Sequence, residues 1–125
     1  MGGHEGGFYY EPTIFDGVTP NMAIARDEVF GPVLAIQTFD DEADAIDLAN
    51  GTDYGLAAGI WSEDERRWQR VARDVRAGVV FINSYHSAGI EVPWGGFKMS
   101  GVGRELGTAG FDGFTEAKSI VRVPA

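Results

Sequence analysis

The chain has 125 residues, enough for one domain around one core, and its 44% apolar share is that of a globular protein. Nineteen acidic against ten basic residues give a net charge of -9, which argues against a nucleic-acid partner or an anionic membrane, since both need clustered Lys and Arg. With no cysteine there is no disulfide framework, no thiolate metal site and no cysteine nucleophile in this chain.

The glycine-rich start is followed by β-type residues from Phe8 to Val18, interrupted by Pro12, which suits an edge strand or an irregular extended segment. Thr19-Pro20-Asn21 reads as a turn or helix start, and Asn21 to Arg26 as a short helical turn. Val33-Leu34-Ala35-Ile36 is the first continuous apolar run. Asp40 or Asp41 can cap the next segment, where Ala45, Ile46, Leu48 and Ala49 share one helical face, and Asn50-Gly51 supplies a stop. A second apolar run, Leu56 to Trp61, leads to Ser62 and Glu65, spaced as a capping box. Trp68, Val71, Ala72 and Val75 then make an amphipathic helical stripe that ends at Gly78. Val79 to Ile82 is the third apolar run. The pattern predicts an α/β fold with a parallel β-α-β-α-β core, because continuous apolar strands are buried on both faces and need helical crossovers. An irregular stretch from Asn83 to Gly103, a short helix near Arg104 to Gly107 and a last strand over Lys118 to Val123 complete the reading.

Two stretches could carry chemistry. Trp94 to Gly107, WGGFKMSGVGRELG, has the look of a phosphate loop. It is no P-loop, because Lys98 is followed by Met99, and Gly101, Gly103 and Gly107 are spaced one residue too long for the dinucleotide fingerprint. The alternative is a tight loop whose glycines let backbone pass close to backbone. Arg26 to Val33, RDEVFGPV, places paired acids before an aromatic and Gly-Pro. It could bind sugar hydroxyls or be a solvated acidic turn. His4 and His86 lie far apart, and no zinc-type spacing is present, so no metal is expected. No run of about 18 apolar residues could span a bilayer. MGGHEGGFYY lacks the regions of a secretory signal, and a cytoplasmic protein is expected.

Taken together, Glu28-Val29-Phe30-Gly31-Pro32-Val33, the Asn50…Tyr54-Gly55-Leu56-Ala57-Ala58 run, Ala77-Gly78, Asn83 and Pro93-Trp94-Gly95-Gly96-Phe97-Lys98-x-Ser100-Gly101 resemble the NAD(P)-dependent aldehyde dehydrogenases, in order and spacing. The resemblance runs from about Phe8 to Pro124 and corresponds to the last quarter or so of such an enzyme. It implies that residues 1–117 are the C-terminal part of the catalytic domain, incomplete here, and that residues 118–125 are an oligomerisation strand which adds to a neighbouring subunit's sheet. It implies further that Glu28 binds the ribose next to the nicotinamide, and that Phe30 packs by the nicotinamide end of NAD or NADP. It also implies that His86, Ala88 and Trp94 line the aldehyde pocket. Trp94 at that position resembles the members that act on aminoaldehydes and betaine aldehyde, and a tryptophan face suits a cationic head group; the alternative is a simple apolar wall, since Ala88 stands where an aromatic is frequent in the family.

The family's reaction oxidises an aldehyde to a carboxylic acid through a cysteine thiohemiacetal. That cysteine would lie outside this chain, whose beginning resembles a mid-domain segment, and the isolated chain is expected to be inactive. Two other readings are a non-catalytic short chain that associates with full-length subunits, and an unrelated small α/β nucleotide binder.

Overall fold

The computed structural model describes residues 6–124. It falls into two compact units, one ending at Asp53 and one starting at Tyr54.

In the first unit, strand β1 (Thr13–Phe15) pairs in parallel with β2 (Val33–Ala35). Helix α1 (Ala23–Arg26) lies on the connection, after the turn closed by the Met22 N–H on the Thr19 carbonyl at 3.0 Å. The irregular extended segment predicted over Phe8 to Val18 thus holds a three-residue strand. Beyond the ladder, the Val18 N–H donates to the Ile36 carbonyl at 3.0 Å, and Val18 is the buried hydrophobic residue among those described in this unit.

Helix α2 (Glu42–Asn50) starts where its acids can satisfy free N–H groups. Asp41 Oδ1 accepts from the Asp44 N–H at 2.9 Å, while Asp44 Oδ2 accepts from the Asp40 N–H at 3.0 Å. Of the two predicted caps, Asp41 is the one used, and Asp44 reaches back past it to the N–H of Asp40, the residue before the cap. Ala45, Ile46 and Leu48 are half-buried, but Ala49 is exposed and leaves the predicted face. Gly51 ends the helix with φ of -73°, so the stop is not the left-handed one that Asn-Gly would suit.

The second unit contains two strand pairs. The pair of β4 (Ala57–Ile60) and β5 (Val79–Ile82) is parallel, in register from Ala57 opposite Val79 to Ile60 opposite Ile82. Helix α3 (Glu65–Asp74) is the crossover between them. Its predicted stripe is confirmed, with Trp68, Val71 and Ala72 half-buried and Val75 buried. The capping box is not. Asp64 is the N-cap and accepts from the Arg67 N–H at 3.1 Å, and Ser62 Oγ accepts from the Asp64 N–H at 3.2 Å. The shift of two residues has a physical reason: an aspartate at the boundary offers a charged acceptor to the free N–H groups of the first turn. Val79 and Phe81 alternate as the buried positions of β5.

The second pair, β3 (Tyr54–Gly55) with β6 (Phe97–Lys98), is antiparallel and was not predicted. The single parallel core expected over all three apolar runs is therefore corrected. The described strands form three two-stranded sheets, with β2 on β1 in the first unit and β4 on β5 in the second. The last helix, α4 (Gly107–Asp112), begins where the predicted helix was to end. Leu106, with φ of 60°, cannot belong to a right-handed helix and sets its start. Residues 118–123 carry no strand within the single chain, and Ile120, Val121 and Val123 are exposed.

Candidate functional site

The predicted site residues gather in two places, one in each unit. In the first, Glu28 and Phe30 both line a pocket of about 320 Å³ whose other walls include Ile24, Val33 and Ala35. The chain reaches it from α1, whose C-cap Asp27 bonds back through its N–H to the Ala23 carbonyl at 2.8 Å. Phe30 has φ of 52°, a backbone state that a bulky residue seldom adopts, and its side chain is 93% exposed. Glu28 is exposed beside it. The Val33 N–H donates to the Gly31 carbonyl at 2.7 Å, which fixes the turn that follows. Glu28 and Phe30 thus border one cavity, so the acidic turn has more structure than a solvated bend.

In the second unit His86, Ala88 and Trp94 line one pocket of about 250 Å³, together with Phe81 and Leu106. The loop that carries them is anchored at its start by Asn83. Its Oδ1 accepts from the Ser62 N–H at 2.8 Å, and its Nδ2 donates to the Ser62 carbonyl at 3.0 Å. His86, at φ of 56°, turns its ring into an aromatic group. It lies edge-on to Tyr85 with centroids 4.5 Å apart, 6.0 Å from Phe81 and 5.7 Å from Trp94. Trp94 is held from the far side, because it exchanges both backbone hydrogen bonds with Glu105 at 2.7 Å. The same exchange brings Leu106 to the pocket.

Phe81 and Leu106 were missed as lining residues. Phe81 had a signal, since alternation along β5 puts it on the face of buried Val79. Leu106 had none, because its place follows from the pairing of two loop segments.

The glycine-rich stretch from Trp94 to Gly107 is not a phosphate cradle. Its arginine is turned inward: Arg104 Nη1 donates to the Gly96 carbonyl at 3.0 Å and the Gly103 carbonyl at 2.6 Å, and its guanidinium stands 5.2 Å from the Phe97 ring centre. Ser100 Oγ accepts from the Gly55 N–H at 3.0 Å. A β-carbon at Gly78 would collide with the Gly95 carbonyl, and one at Gly95 would come within 2.7 Å of the Gly103 carbonyl. The glycines here let backbone pass close to backbone. Among the described residues no group of three or more His, Asp or Glu could hold a metal ion, and no helix is long and apolar enough to cross a membrane.

Residues 1–120 match the aldehyde dehydrogenase family. The chain belongs to that family. Betaine aldehyde dehydrogenase of Bacillus subtilis (strain 168) is 49% identical over 118 residues, which are 94% of this chain and 24% of that protein. Peroxisomal aminoaldehyde dehydrogenase 2 of Pisum sativum is 49% identical over 116 residues, 93% of this chain and 23% of that protein. Among solved structures, the P. syringae indole-3-acetaldehyde dehydrogenase in complex with NAD+ and IAA superposes with a TM-score of 0.88 at 50% identity, over 92% of this chain and 23% of that chain. The chain thus spans about a quarter of the length of the curated aldehyde dehydrogenases it matches.

Proposed function

We propose that this segment supplies the cofactor-ribose contact and one wall of the aldehyde tunnel in an NAD-dependent aldehyde dehydrogenase, which oxidises an aldehyde with a cationic head group to the carboxylic acid. The observation that carries the reading is the convergence of His86, Ala88 and Trp94 on one aromatic-walled pocket. The betaine aldehyde and aminoaldehyde dehydrogenases among its relatives support the cationic class.

The residues present fit the dinucleotide. Glu28 offers two carboxylate oxygens, enough to accept from both hydroxyls of a ribose, and Phe30 beside it offers a flat apolar face to a ring. The nicotinamide, when bound, supplies the acceptor for the aldehyde's hydride. Trp94 presents a π-face that attracts a cation, and the apolar walls around it displace water from the head group. Since this chain has no cysteine, the nucleophilic thiolate of the reaction belongs to polypeptide outside it. Residues 118–123 act as the arm that pairs with a neighbouring subunit's sheet, a role their exposed Ile120, Val121 and Val123 suit. The work site is the cytoplasm.

NADH formation tests the reading. The whole polypeptide that carries this segment reduces NAD when given an aldehyde. The isolated 125-residue chain gives no NADH above a heat-treated control. Turnover by the isolated chain would refute an external nucleophile, and none by the whole polypeptide would refute the oxidation itself.

A further inference from the structure

We infer that the outward face of helix α3 is a docking surface, and that its occupant is the acidic stretch around helix α2 of a second copy of this protein. The inference goes beyond aldehyde oxidation and does not depend on it. Charge is sorted along the chain. From Asp27 to Glu65 there is no Lys or Arg, whereas Arg66, Arg67, Arg70, Arg73 and Arg76 supply half of the ten basic residues within a stretch of eleven. The acids are as local: Asp40, Asp41, Glu42, Asp44 and Asp47 fall within eight residues across the start of α2.

The fold turns the arginines into a stripe. Trp68, Val71, Ala72 and Val75 are the covered side of α3, which leaves the opposite side to solvent. Arg66, Arg70 and Arg73 stand at i, i+4 and i+7, so they share that side, and all three are exposed. The helix holds four arginines against two acids, Glu65 and Asp74. Glu65 is engaged by Gln69, whose Nε2 donates to its Oε1 at 3.0 Å. In the first unit Asp40, Asp41 and Asp47 are exposed. Charge complementarity selects the occupant. A phosphate backbone or an anionic membrane would meet the stripe, but also the carboxylates of a segment whose net charge is -9. A compact acidic cluster on a protein matches guanidinium groups side by side, because each can give a carboxylate two N–H bonds. This chain carries such a cluster, so a second copy brings both halves of the contact. The general repulsion between two acidic copies is screened beyond about 8 Å at physiological salt, so the pairs in contact decide. A face one helix wide is small for a stable interface, and the contact is weak and reversible.

The test is sedimentation equilibrium of the whole polypeptide carrying this segment, over a range of concentrations. At about 0.15 M salt the wild type forms a species larger than its basal assembly, and raising the salt to about 0.5 M weakens that step roughly tenfold. Arg66→Glu/Arg70→Glu/Arg73→Glu abolishes the step. So does Asp40→Lys/Asp47→Lys, which spares the cap Asp41. Both sets combined in one chain restore it, since the attraction re-forms with its signs exchanged, and a misfolded variant could not do that. A wild type without the salt-sensitive step overturns the inference, as does a step that the arginine variant leaves intact. Loss in the arginine variant but not in the aspartate variant overturns the second copy as occupant. Wild-type binding to a single-stranded oligonucleotide or to phosphatidylserine vesicles, lost in the arginine variant, overturns it too and assigns the face to phosphate.

Discussion

Phe30 and His86 are both held at positive φ, 52° and 56°, which is uncommon outside glycine; histidine is enriched there with Asn and Asp, a bulky phenylalanine is not. Such backbone states cost on the order of 1–3 kcal/mol each and persist where the surroundings over-determine them. For His86 the surroundings are evident: its ring packs against Tyr85, Phe81 and Trp94. The residue types at both sites were legible in the sequence through the motifs around them. Their backbone state was not: phenylalanine carries no propensity for it, and histidine's modest enrichment does not single out one position. Trp94 is where the substrate class is tested at this scale. Trp94→Ala removes the π-face and leaves the other walls, so kcat/KM should fall more for a cationic aldehyde than for propanal. A difference of about three- to tenfold is expected, from a cation–π contact worth ~0.5–1 kcal/mol or somewhat more when desolvated. Equal losses for the two aldehydes would mean that Trp94 is only an apolar wall.

Elements set by local signals were the ones that the sequence made plain. Helix α3 has its apolar stripe at helical spacing, and helix α2 has acids in its first turn. The hairpin-like pairing of β3 with β6 joins residues more than forty positions apart in two-residue strands, too short to show any alternation. Strand β2 looked like its neighbours in composition, yet its partner is β1, a choice made by long-range packing that no local pattern encodes. The contact between β5 and the Trp94–Gly96 turn also shows where element packing is least forgiving. At Gly78 an added methyl group meets the Gly95 carbonyl, which is backbone and cannot rotate away. Gly78→Ala should therefore destabilise by about 2–3 kcal/mol, the upper part of the range for overpacking. Asp64→Ala removes one cap of α3 and should cost about 1 kcal/mol. Chemical denaturation of the whole polypeptide with each variant checks the order. If Asp64→Ala proves the more damaging, the close approach at Gly78 relaxes without strain.

At the scale of the chain, the burial is thin. Among the described residues, Val18 is the buried hydrophobic residue of the first unit, and Val75, Val79 and Phe81 are those of the second. Phe8, Phe30, Val102, Phe114 and Ile120 are at least 90% exposed. Burial of such side chains stabilises by roughly 1.5–3 kcal/mol each, and a chain that leaves them in water gives up that gain while still losing the entropy of ordering its backbone. The strand pairs add a second liability. Among the described residues each sheet has only two strands, and short two-stranded sheets are marginal alone, with edges that can pair with another chain. Surface of this kind was not foreseen from composition, because a 44% apolar share is compatible with a well-buried core. It is what a segment would show if further polypeptide or a second subunit covered it. The isolated chain should therefore self-associate or melt without cooperativity. Size-exclusion chromatography over a range of concentrations should show material larger than 13.5 kDa, and thermal unfolding should lack a single sharp transition. A concentration-independent monomer with a two-state melt would show instead that these few buried residues suffice, and that the exposed apolar surface needs no partner.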